Sequence, residues 1–176
     1  AGCPTPEVSY AIRKLGCQSG VMITASHNPR EYNGYKAYWS DGAQMIAPHD
    51  TKTIEYVNAI TDNSMIKFKP NHKLIEIIGS AIDREFLNDV HTLSLSPESD
   101  KRHSEMKIVY TPLHGVGSPL MYRSLEMWGF NEVIHVPAQD IQDGDFPTVK
   151  SPNPENHEAL DMAIDKARKV NADIVL

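Results

Sequence analysis

The chain has 176 residues and a formal net charge of −6 at pH 7. This acidic balance argues against nucleic acid as a partner, because nucleic-acid binding needs a basic surface. No apolar run approaches the length of a membrane span, and the cysteines, Cys3 and Cys17, fit neither a metal-binding spacing nor a disulfide framework. We therefore expect a cytoplasmic protein with no membrane and no nucleic acid among its partners.

The first forty residues predict one helix and two strands. Apolar side chains at helical spacing indicate a helix over residues 7–15, and Gly16 is a suitable residue to end it. Residues 21–24 predict a buried strand, and residues 35–39 alternate as a second strand. Because an α/β unit would have a strand before this helix, we expect the chain to begin in the middle of a domain.

Two further helices and a short strand are predicted before the middle of the chain. Residues 51–60 predict a helix with Ile54, Val57 and Ile60 facing inward, and residues 74–78 predict a strand. An amphipathic helix should follow, with its apolar face formed by Ile82, Phe86, Leu87, Val90 and Leu93. The polar stretch 95–106 then predicts a linker between a domain at 1–94 and a domain at 107–176.

The second half predicts alternating strands and helices. Strands are expected at 107–111, at 132–136 and from Ala172 to Leu176, the last of them buried. One helix should begin with Ser118 as N-cap and Pro119 at its first position, and another should begin at Pro154. The order βαβαβ predicts a parallel, doubly wound sheet with helices on both faces. The fold class is therefore α/β, with two incomplete three-layer α/β/α domains.

The loop after the first predicted strand carries the side chains with the clearest chemistry. Ser26, His27 and Asn28 offer a hydroxyl, an imidazole and a carboxamide, and the turn signal Asn33-Gly34 brings Lys36 back toward them. Such a set at the end of a strand is typical of phosphate handling or proton transfer. The alternative is that these side chains only stabilise a turn, since they often form hydrogen bonds with nearby backbone groups. A hydrolase is disfavoured, because Ser26 lacks the G-x-S-x-G frame.

A second loop in the other half also suits an anion. His114 and the glycines of H-G-V-G precede a predicted helix N-terminus, whose free N–H groups favour phosphate. His114 is therefore a candidate phosphate contact, although the glycines could serve the turn alone. The acidic loop with Asp140, Asp143 and Asp145 lacks the calcium-loop register and its closing glutamate, so it predicts a solvated loop.

The string T-A-S-H-N-P followed by N-G-Y-K resembles the phosphoserine loop of the α-D-phosphohexomutases, the family of phosphoglucomutase and phosphomannomutase. Its continuation through residue 50 looks most like the phosphoglucomutase-2/phosphopentomutase branch. In the second half, D-G-D-F-P followed by P-N-P-E resembles the segment before the metal loop of that family. The resemblance covers parts of domains 1 and 2 of a four-domain enzyme.

The resemblance implies roles for particular residues. Ser26 would be the phosphorylated nucleophile, and His27 and Lys36 would act on the phosphate and the reacting hydroxyl. From the two loops themselves we expect Asn28 and His114 to bind phosphate. Mg²⁺ would bind Ser26 through its phosphate oxygen, with aspartate ligands that lie beyond Leu176. The implied partners are a sugar phosphate and a sugar bisphosphate. The implied reaction moves a phosphoryl group between C1 and C6 of glucose phosphate, and we expect the 176 residues alone to be inactive.

Alternatives remain open at two levels. Within the enzyme class, the parent could be a phosphomannomutase or a phosphopentomutase, because the sugar-recognition loop is not in this sequence. In another class, the chain could be a non-catalytic phosphosugar-binding module. No residue pattern indicates an oligomeric state.

Overall fold

The computed structural model describes residues 2–176, and none of the helices in that range is long and apolar enough to cross a membrane. The helices are α1 (Thr5–Lys14), α2 (His49–Asn58), α3 (Gly79–His91), α4 (Pro97–Arg102), α5 (Ser118–Met127), α6 (Pro137–Asp140) and α7 (His157–Val170). The strands are β1 (Ser19–Ile23), β2 (Tyr35–Trp39), β3 (Lys107–Tyr110), β4 (Glu132–His135) and β5 (Ile174–Val175).

In the first half, one helix packs on a two-stranded sheet. Strands β1 and β2 pair antiparallel, with Gly20 opposite Tyr38. The side chain of Ile12 on α1 lies directly over Gly20, where any Cβ would overlap it. Helix α1 has proline and Glu7 in its first turn and basic residues in its last turn, which complements the helix dipole. The predicted helix and the predicted second strand are both confirmed.

Three expectations for the first half are wrong. Strand β1 is not buried on both faces, because Val21 and Ile23 are exposed. Ile54, Val57 and Ile60 also do not face a core, since all three are exposed and α2 has no buried residue.

The third wrong expectation concerns residues 74–78, which form no strand. A 3₁₀ turn at His72–Leu74 precedes an exposed irregular stretch. A strand needs a neighbour for its backbone hydrogen bonds, and within residues 2–176 no strand pairs with this stretch.

Helix α3 joins the two halves of the chain. Its residues Ile82 and Leu87 are buried as expected, whereas Leu93 lies beyond the helix end and is exposed. Toward α1, the Tyr10 hydroxyl donates a hydrogen bond of 2.6 Å to Asp89 on α3. Toward α5, the His91 and Trp128 rings meet edge to face at 4.7 Å. The predicted linker after α3 contains the short helix α4.

The second half is a parallel sheet in the order β4-β3-β5. The crossovers from β3 to β4 and back to β5 run in opposite directions, so right-handed connections place α5 and α7 on opposite faces. The fully buried Val109 of β3 packs with Val136 and with Ala163 of α7. The predicted doubly wound topology is confirmed.

The last strand is shorter and less buried than the sequence predicts. Strand β5 contains only Ile174 and Val175, and Leu176 lies just outside it. Ile174 and Leu176 are both exposed, so the expectation of a buried strand from Ala172 to Leu176 is wrong. The reason is that β5 pairs with β3 alone and forms an edge of the sheet as described for residues 2–176.

Two helix starts in this half also differ from expectation. Gly117, not Ser118, flanks α5, and no side chain caps that helix. The last helix begins at His157 rather than at Pro154, because residues 154–156 form a turn.

Candidate functional site

Ser26 lies in the serine loop, which we define as residues 24–34 between β1 and β2. Its backbone φ is +59°, a left-handed conformation that residues other than glycine rarely adopt. The Ser26 N–H donates a hydrogen bond of 2.9 Å to the Thr24 hydroxyl, which holds this conformation. The Ser26 residue is exposed, so its hydroxyl is open to an incoming ligand. Backbone strain of this kind is concentrated at functional sites in proteins.

Thr24 and Gly34 close the base of the serine loop. The Thr24 N–H donates to the Gly34 carbonyl at 3.0 Å, and a Cβ at Gly34 would overlap the Thr24 carbonyl oxygen. Asn33 adds a hydrogen bond of 2.9 Å from the Gly34 N–H to its side-chain oxygen. The antiparallel return predicted from Asn33-Gly34 is confirmed. Gly34, however, is required for a close backbone approach at the base of a long loop, and not for a two-residue hairpin turn.

His27 is the side chain that the structure brings to Ser26. Its Nδ1 lies 3.3 Å from the Ser26 Oγ, and the ring tautomer decides which of the two groups donates. Neutral Nδ1 at this position can accept a proton from a hydroxyl, and a protonated ring can stabilise negative charge on a phosphate. Asn28 is exposed in the same loop, and its N–H donates to the Ala25 carbonyl at 3.1 Å.

Lys36 lies on β2 opposite Met22 and is partly buried. It shares a face of the sheet with Tyr38, because alternate residues of a strand point to the same side. No hydrogen bond or ion pair within residues 2–176 involves the Lys36 ammonium group. The structure therefore places Lys36 on the strand that follows the serine loop, without a hydrogen bond to Ser26 among the described residues.

His114 occupies a different environment from the one the sequence suggested. It is buried, its φ is +66°, and both ring nitrogens are engaged. Nδ1 lies 2.9 Å from the Ile141 carbonyl, so it is the protonated nitrogen, and Nε2 accepts from the Thr148 hydroxyl at 2.8 Å. A phosphate contact would require these bonds to be exchanged, so the geometry favours a structural role for His114.

A buried polar network that the sequence did not reveal surrounds His114. The Thr111 hydroxyl donates to the Gln139 side-chain oxygen at 2.7 Å, and the Gln139 amide donates to the Thr148 hydroxyl at 3.1 Å. Gln139 is completely buried. Because each of these groups has a partner, the network fixes the loops at the carboxyl ends of β3 and β4.

A second polar cluster lies at the end of β4. Asp140 accepts hydrogen bonds from the Tyr122 hydroxyl at 2.7 Å and from His135 Nδ1 at 2.8 Å. The Tyr122 and His135 rings stack with centroids 3.7 Å apart. Burial, reinforced by the hydrogen bond to Asp140, raises the pKa of Tyr122, so this hydroxyl remains a donor. The cluster ties α5 to the start of the acidic loop.

The described residues do not form a metal site on their own. Within residues 2–176, no three His, Cys, Asp or Glu side chains are grouped closely enough to hold a metal ion. Asp143 accepts from the Asp145 N–H at 2.9 Å, and Asp145 contacts Arg30, as suits the predicted solvated loop. Magnesium normally needs carboxylates beside a phosphate oxygen, so Ser26 alone does not meet its requirements.

Leu176, after which the sequence resemblance puts the aspartate ligands, lies beside the end of β3. Its N–H donates to the Val109 carbonyl at 2.9 Å, and its own carbonyl accepts from the Thr111 N–H at 2.9 Å. A leucine side chain has no ligand atom, so Leu176 itself is no part of a metal site. These bonds place Leu176 at the carboxyl end of the sheet, the edge where ligands of open α/β sheets bind. Aspartate ligands after Leu176 stay a prediction.

An open cavity of about 470 Å³ lies at the start of α7, away from these residues. Lys150, Ser151 and His157 are among its lining residues, and Lys150 already forms an ion pair with Glu158 at 3.2 Å. None of the candidate site residues lines this cavity, neither Ser26 and its neighbours His27 and Asn28 nor Lys36 or His114. The serine loop is therefore the better candidate site.

Two family models match the chain. Residues 2–64 match phosphoglucomutase/phosphomannomutase, alpha/beta/alpha domain I, and residues 84–176 match alpha/beta/alpha domain II of the same family. The chain belongs to the phosphoglucomutase/phosphomannomutase family. The serine loop lies in the part that matches domain I of this family, and the buried network around His114 lies in the part that matches domain II.

Individual members of the phosphoglucomutase/phosphomannomutase family agree with this result. The chain is 40% identical over 170 residues to a Schizosaccharomyces pombe protein named "Probable phosphoribomutase", covering 93% of this chain and 28% of that protein. It is 36% identical to a phosphoglucomutase of Staphylococcus haemolyticus, covering 98% of this chain and 31% of that protein. It is also 37% identical to the glucose 1,6-bisphosphate synthase of Homo sapiens, covering 98% of this chain and 28% of that protein.

A solved structure of the same family has the same fold. A phosphoglucomutase/phosphomannomutase family protein from Burkholderia thailandensis superimposes with a TM-score of 0.69 at 22% identity, covering 98% of this chain and 35% of that protein. The present chain thus spans about a third of the length of the relatives that it matches.

Proposed function

We propose that these 176 residues are the phosphoryl-carrying part of a phosphosugar mutase that interconverts glucose 1-phosphate and glucose 6-phosphate. The observation that carries the proposal is the exposed Ser26 hydroxyl, held in a left-handed loop and 3.3 Å from His27. Since the relatives are about three times as long, the complete activity belongs to a longer polypeptide. We expect no turnover from residues 1–176 alone.

The proposed reaction transfers a phosphoryl group from Ser26 to the sugar and then back to Ser26. Phosphoserine gives its phosphoryl group to a free hydroxyl of the sugar phosphate: the bond from phosphorus to Oγ breaks, and a bond from phosphorus to the sugar oxygen forms. A base beside the sugar takes the hydroxyl proton, and the departing Ser26 oxygen takes up a proton from His27. The resulting bisphosphate reorients and returns its other phosphoryl group to Ser26, with both proton transfers reversed. Transfer of this kind depends on in-line positioning and on charge neutralisation.

His27 and Lys36 receive roles that follow from their positions. His27 touches the Ser26 oxygen and is suited to exchange a proton with it or to polarise the phosphate. Lys36 carries a positive charge on the strand next to the loop, and we assign it to the phosphate or the reacting hydroxyl. Asn28 offers an exposed amide to phosphate oxygens.

We propose Mg²⁺ as the metal of the complete enzyme, because a divalent cation neutralises charge on a transferring phosphoryl group. Within residues 2–176 no three His, Cys, Asp or Glu side chains are grouped so that they could hold a metal ion, so we propose that its protein ligands come from residues beyond Leu176. The roles proposed for Ser26 and His27 do not depend on the metal, because they rest on the contact between these two side chains.

The choice of sugar remains part of the proposal. Relatives of similar identity are named for phosphoribose, for glucose phosphate and for glucose bisphosphate. We place glucose phosphate first, with phosphomannose and phosphopentose as alternatives. We also propose the division into units at 1–94 and 107–176 joined by residues 95–106, and a cytoplasmic location.

The proposal is tested by looking for phosphate on Ser26. The natural polypeptide that carries these residues is incubated with glucose 1,6-bisphosphate, digested and analysed by mass spectrometry. We expect one phosphoryl group on the peptide containing Ser26 and release of a glucose monophosphate. Binding of the bisphosphate with no phosphoryl group on Ser26 would favour the non-catalytic binding module instead.

Thr24 provides a more specific prediction. Its hydroxyl accepts from the Ser26 N–H at 2.9 Å, and valine has the same shape without the acceptor. We expect Thr24→Val to lower the rate of phosphoryl transfer about tenfold, because misplacement of a nucleophile is costly, while KM changes little.

The matched variant Thr24→Ser keeps the acceptor and should retain most of the rate. Both variants are compared by single-turnover transfer from the phosphorylated protein. Equal rates for the valine and serine variants would show that this hydrogen bond has no role in transfer.

A further inference from the structure

One ion pair joins the serine loop to the second half of the chain. Arg30 lies four residues after Ser26, and its Nη1 is 3.3 Å from Oδ1 of Asp145. The two residues are 115 positions apart in sequence. Within residues 2–176, this is the only side-chain hydrogen bond between the serine loop and any residue beyond α3.

The Asp145 end of this pair is rigidly supported. The Asp145 N–H donates to the Asp143 side chain at 2.9 Å, and the Phe146 N–H donates to the Asp143 carbonyl at 3.2 Å. The Asp143 N–H in turn donates to the His114 carbonyl at 3.2 Å. The backbone that carries Asp145 is thus tied to the buried residue His114.

The same segment is anchored again three residues later. Thr148 donates to the buried His114 ring and accepts from the completely buried Gln139. Phe146 lies between the two anchors with its ring against His114, at a centroid distance of 6.4 Å. Ordering the two side chains costs an ion pair part of its stability, and here the backbone of one partner is held in place before the contact forms.

The solvent exposure of the Arg30–Asp145 ion pair limits its contribution to stability. The Arg30 and Asp145 side chains are 60% and 81% exposed, so the pair adds little to global stability. Its effect should therefore be local to the serine loop. Glu31 competes for the same guanidinium, since its carboxylate lies 3.6 Å from Arg30 Nε.

We propose that Arg30 is a positioning residue that ties the serine loop to residues 143–148 through Asp145. Ser26 is thereby held in a fixed place relative to the domain II part of the chain. The consequence for phosphoryl transfer rests on the proposed function, whereas the tie itself does not. His114 contributes as the buried support of Asp145.

The tie is tested by hydrogen exchange on the natural polypeptide that carries these residues. The amides of Ser26, Asn28 and Tyr32 are bonded within the loop and report its opening. We expect Arg30→Ala and Asp145→Asn each to speed their exchange by about two- to fivefold, the range of an exposed ion pair. The double variant should show no further increase, and the exchanged pair R30D/D145R should restore slow exchange.

Two control variants each remove a carboxylate but leave both Arg30 and Asp145 in place. Glu158→Gln removes the exposed ion pair with Lys150 and should leave exchange in the serine loop unchanged. Glu31→Gln removes the competing carboxylate and should leave exchange the same or make it slower. The difference between wild type and Asp145→Asn should also disappear at about 0.5 M salt, where exposed charges are screened.

The functional consequence is measured separately as transfer from phosphorylated Ser26. We expect Asp145→Asn to lower kcat by about two- to fivefold at low salt with KM unchanged, and R30D/D145R to recover it. Loop exchange that responds to Arg30→Ala but not to Asp145→Asn would overturn the proposal. Exchange that responds as expected in a protein that never carries phosphate on Ser26 would support the tie and refute the proposed function.

Discussion

Replacement of Ser26 by alanine is expected to abolish mutase turnover in the natural polypeptide that carries these residues. Alanine has the same Cβ as serine and so keeps the backbone strain at φ +59°, but it lacks the oxygen that would carry the phosphoryl group. Loss of a nucleophile in a covalent mechanism costs roughly 10³-fold or more. Turnover is measured as conversion of glucose 1-phosphate to glucose 6-phosphate, and folding is measured by urea unfolding.

The matched control for this experiment is Ser40→Ala. Ser40 is an exposed serine in the turn after β2, outside the serine loop. We expect this variant to keep full turnover. Undiminished turnover in Ser26→Ala, with an unchanged unfolding curve, would refute the assignment of Ser26 as the nucleophile.

The second large effect concerns the pH dependence of folding stability through Glu7. This side chain on α1 is only 4% exposed, and its Oε1 has no hydrogen-bond partner among the described residues. Burial, a hydrogen bond with Asp83 and repulsion from that carboxylate raise the pKa of Glu7 to about 7. A protonated Glu7 can donate to Asp83, which a charged Glu7 cannot do.

The sign of the effect follows from proton binding. Between pH 4.5, near the ordinary pKa of glutamate, and pH 7, the folded state binds more protons at Glu7 than the unfolded state does. Stability from this residue is therefore complete below about pH 4.5 and is lost as the pH rises to about 7. The loss should be of the order of 2 kcal/mol.

Glu7→Gln removes this titration while keeping the size of the side chain. We expect its free energy of unfolding in urea to exceed that of the wild type above pH 7 and to vary less between pH 4.5 and pH 7. Glu55→Gln on the exposed helix α2 is the matched control and should follow the wild type. Burial raises the pKa of the nearby Cys3 thiol, which keeps it outside this interval. Parallel curves for wild type and Glu7→Gln would contradict the prediction.

The sequence predicted the topology of the second half well and the burial around α2 badly. Short apolar runs such as the one at β3, bounded by polar residues and glycines, specify both strand and burial, and Val109 is completely buried. The spacing of Ile54, Val57 and Ile60 shows only that one face of the predicted helix is apolar and could pack against another element. Whether a covering element is present depends on residues elsewhere, and within residues 2–176 these three side chains stay exposed.

In the candidate site, too, contacts between sequence neighbours could be predicted and contacts between distant residues could not. Ser26 and His27 are adjacent, so their contact follows from the motif that contains them. Arg30 and Asp145 are 115 residues apart, and nothing in their spacing indicates a contact. His114 was expected to face an anion because glycines follow it, yet its left-handed backbone and the hydroxyl of Thr148 turn its ring into the interior.

The hydrogen bonds within the serine loop decide how a phosphoryl group on Ser26 would be held. The Ser26 and Asn28 amides are already used, by the Thr24 hydroxyl and the Ala25 carbonyl. They do not form the cradle of free N–H groups with which glycine-rich loops hold a nucleotide. If Ser26 carries a phosphoryl group, as we propose, the exposed loop would present that group at the protein surface, where a substrate can reach it.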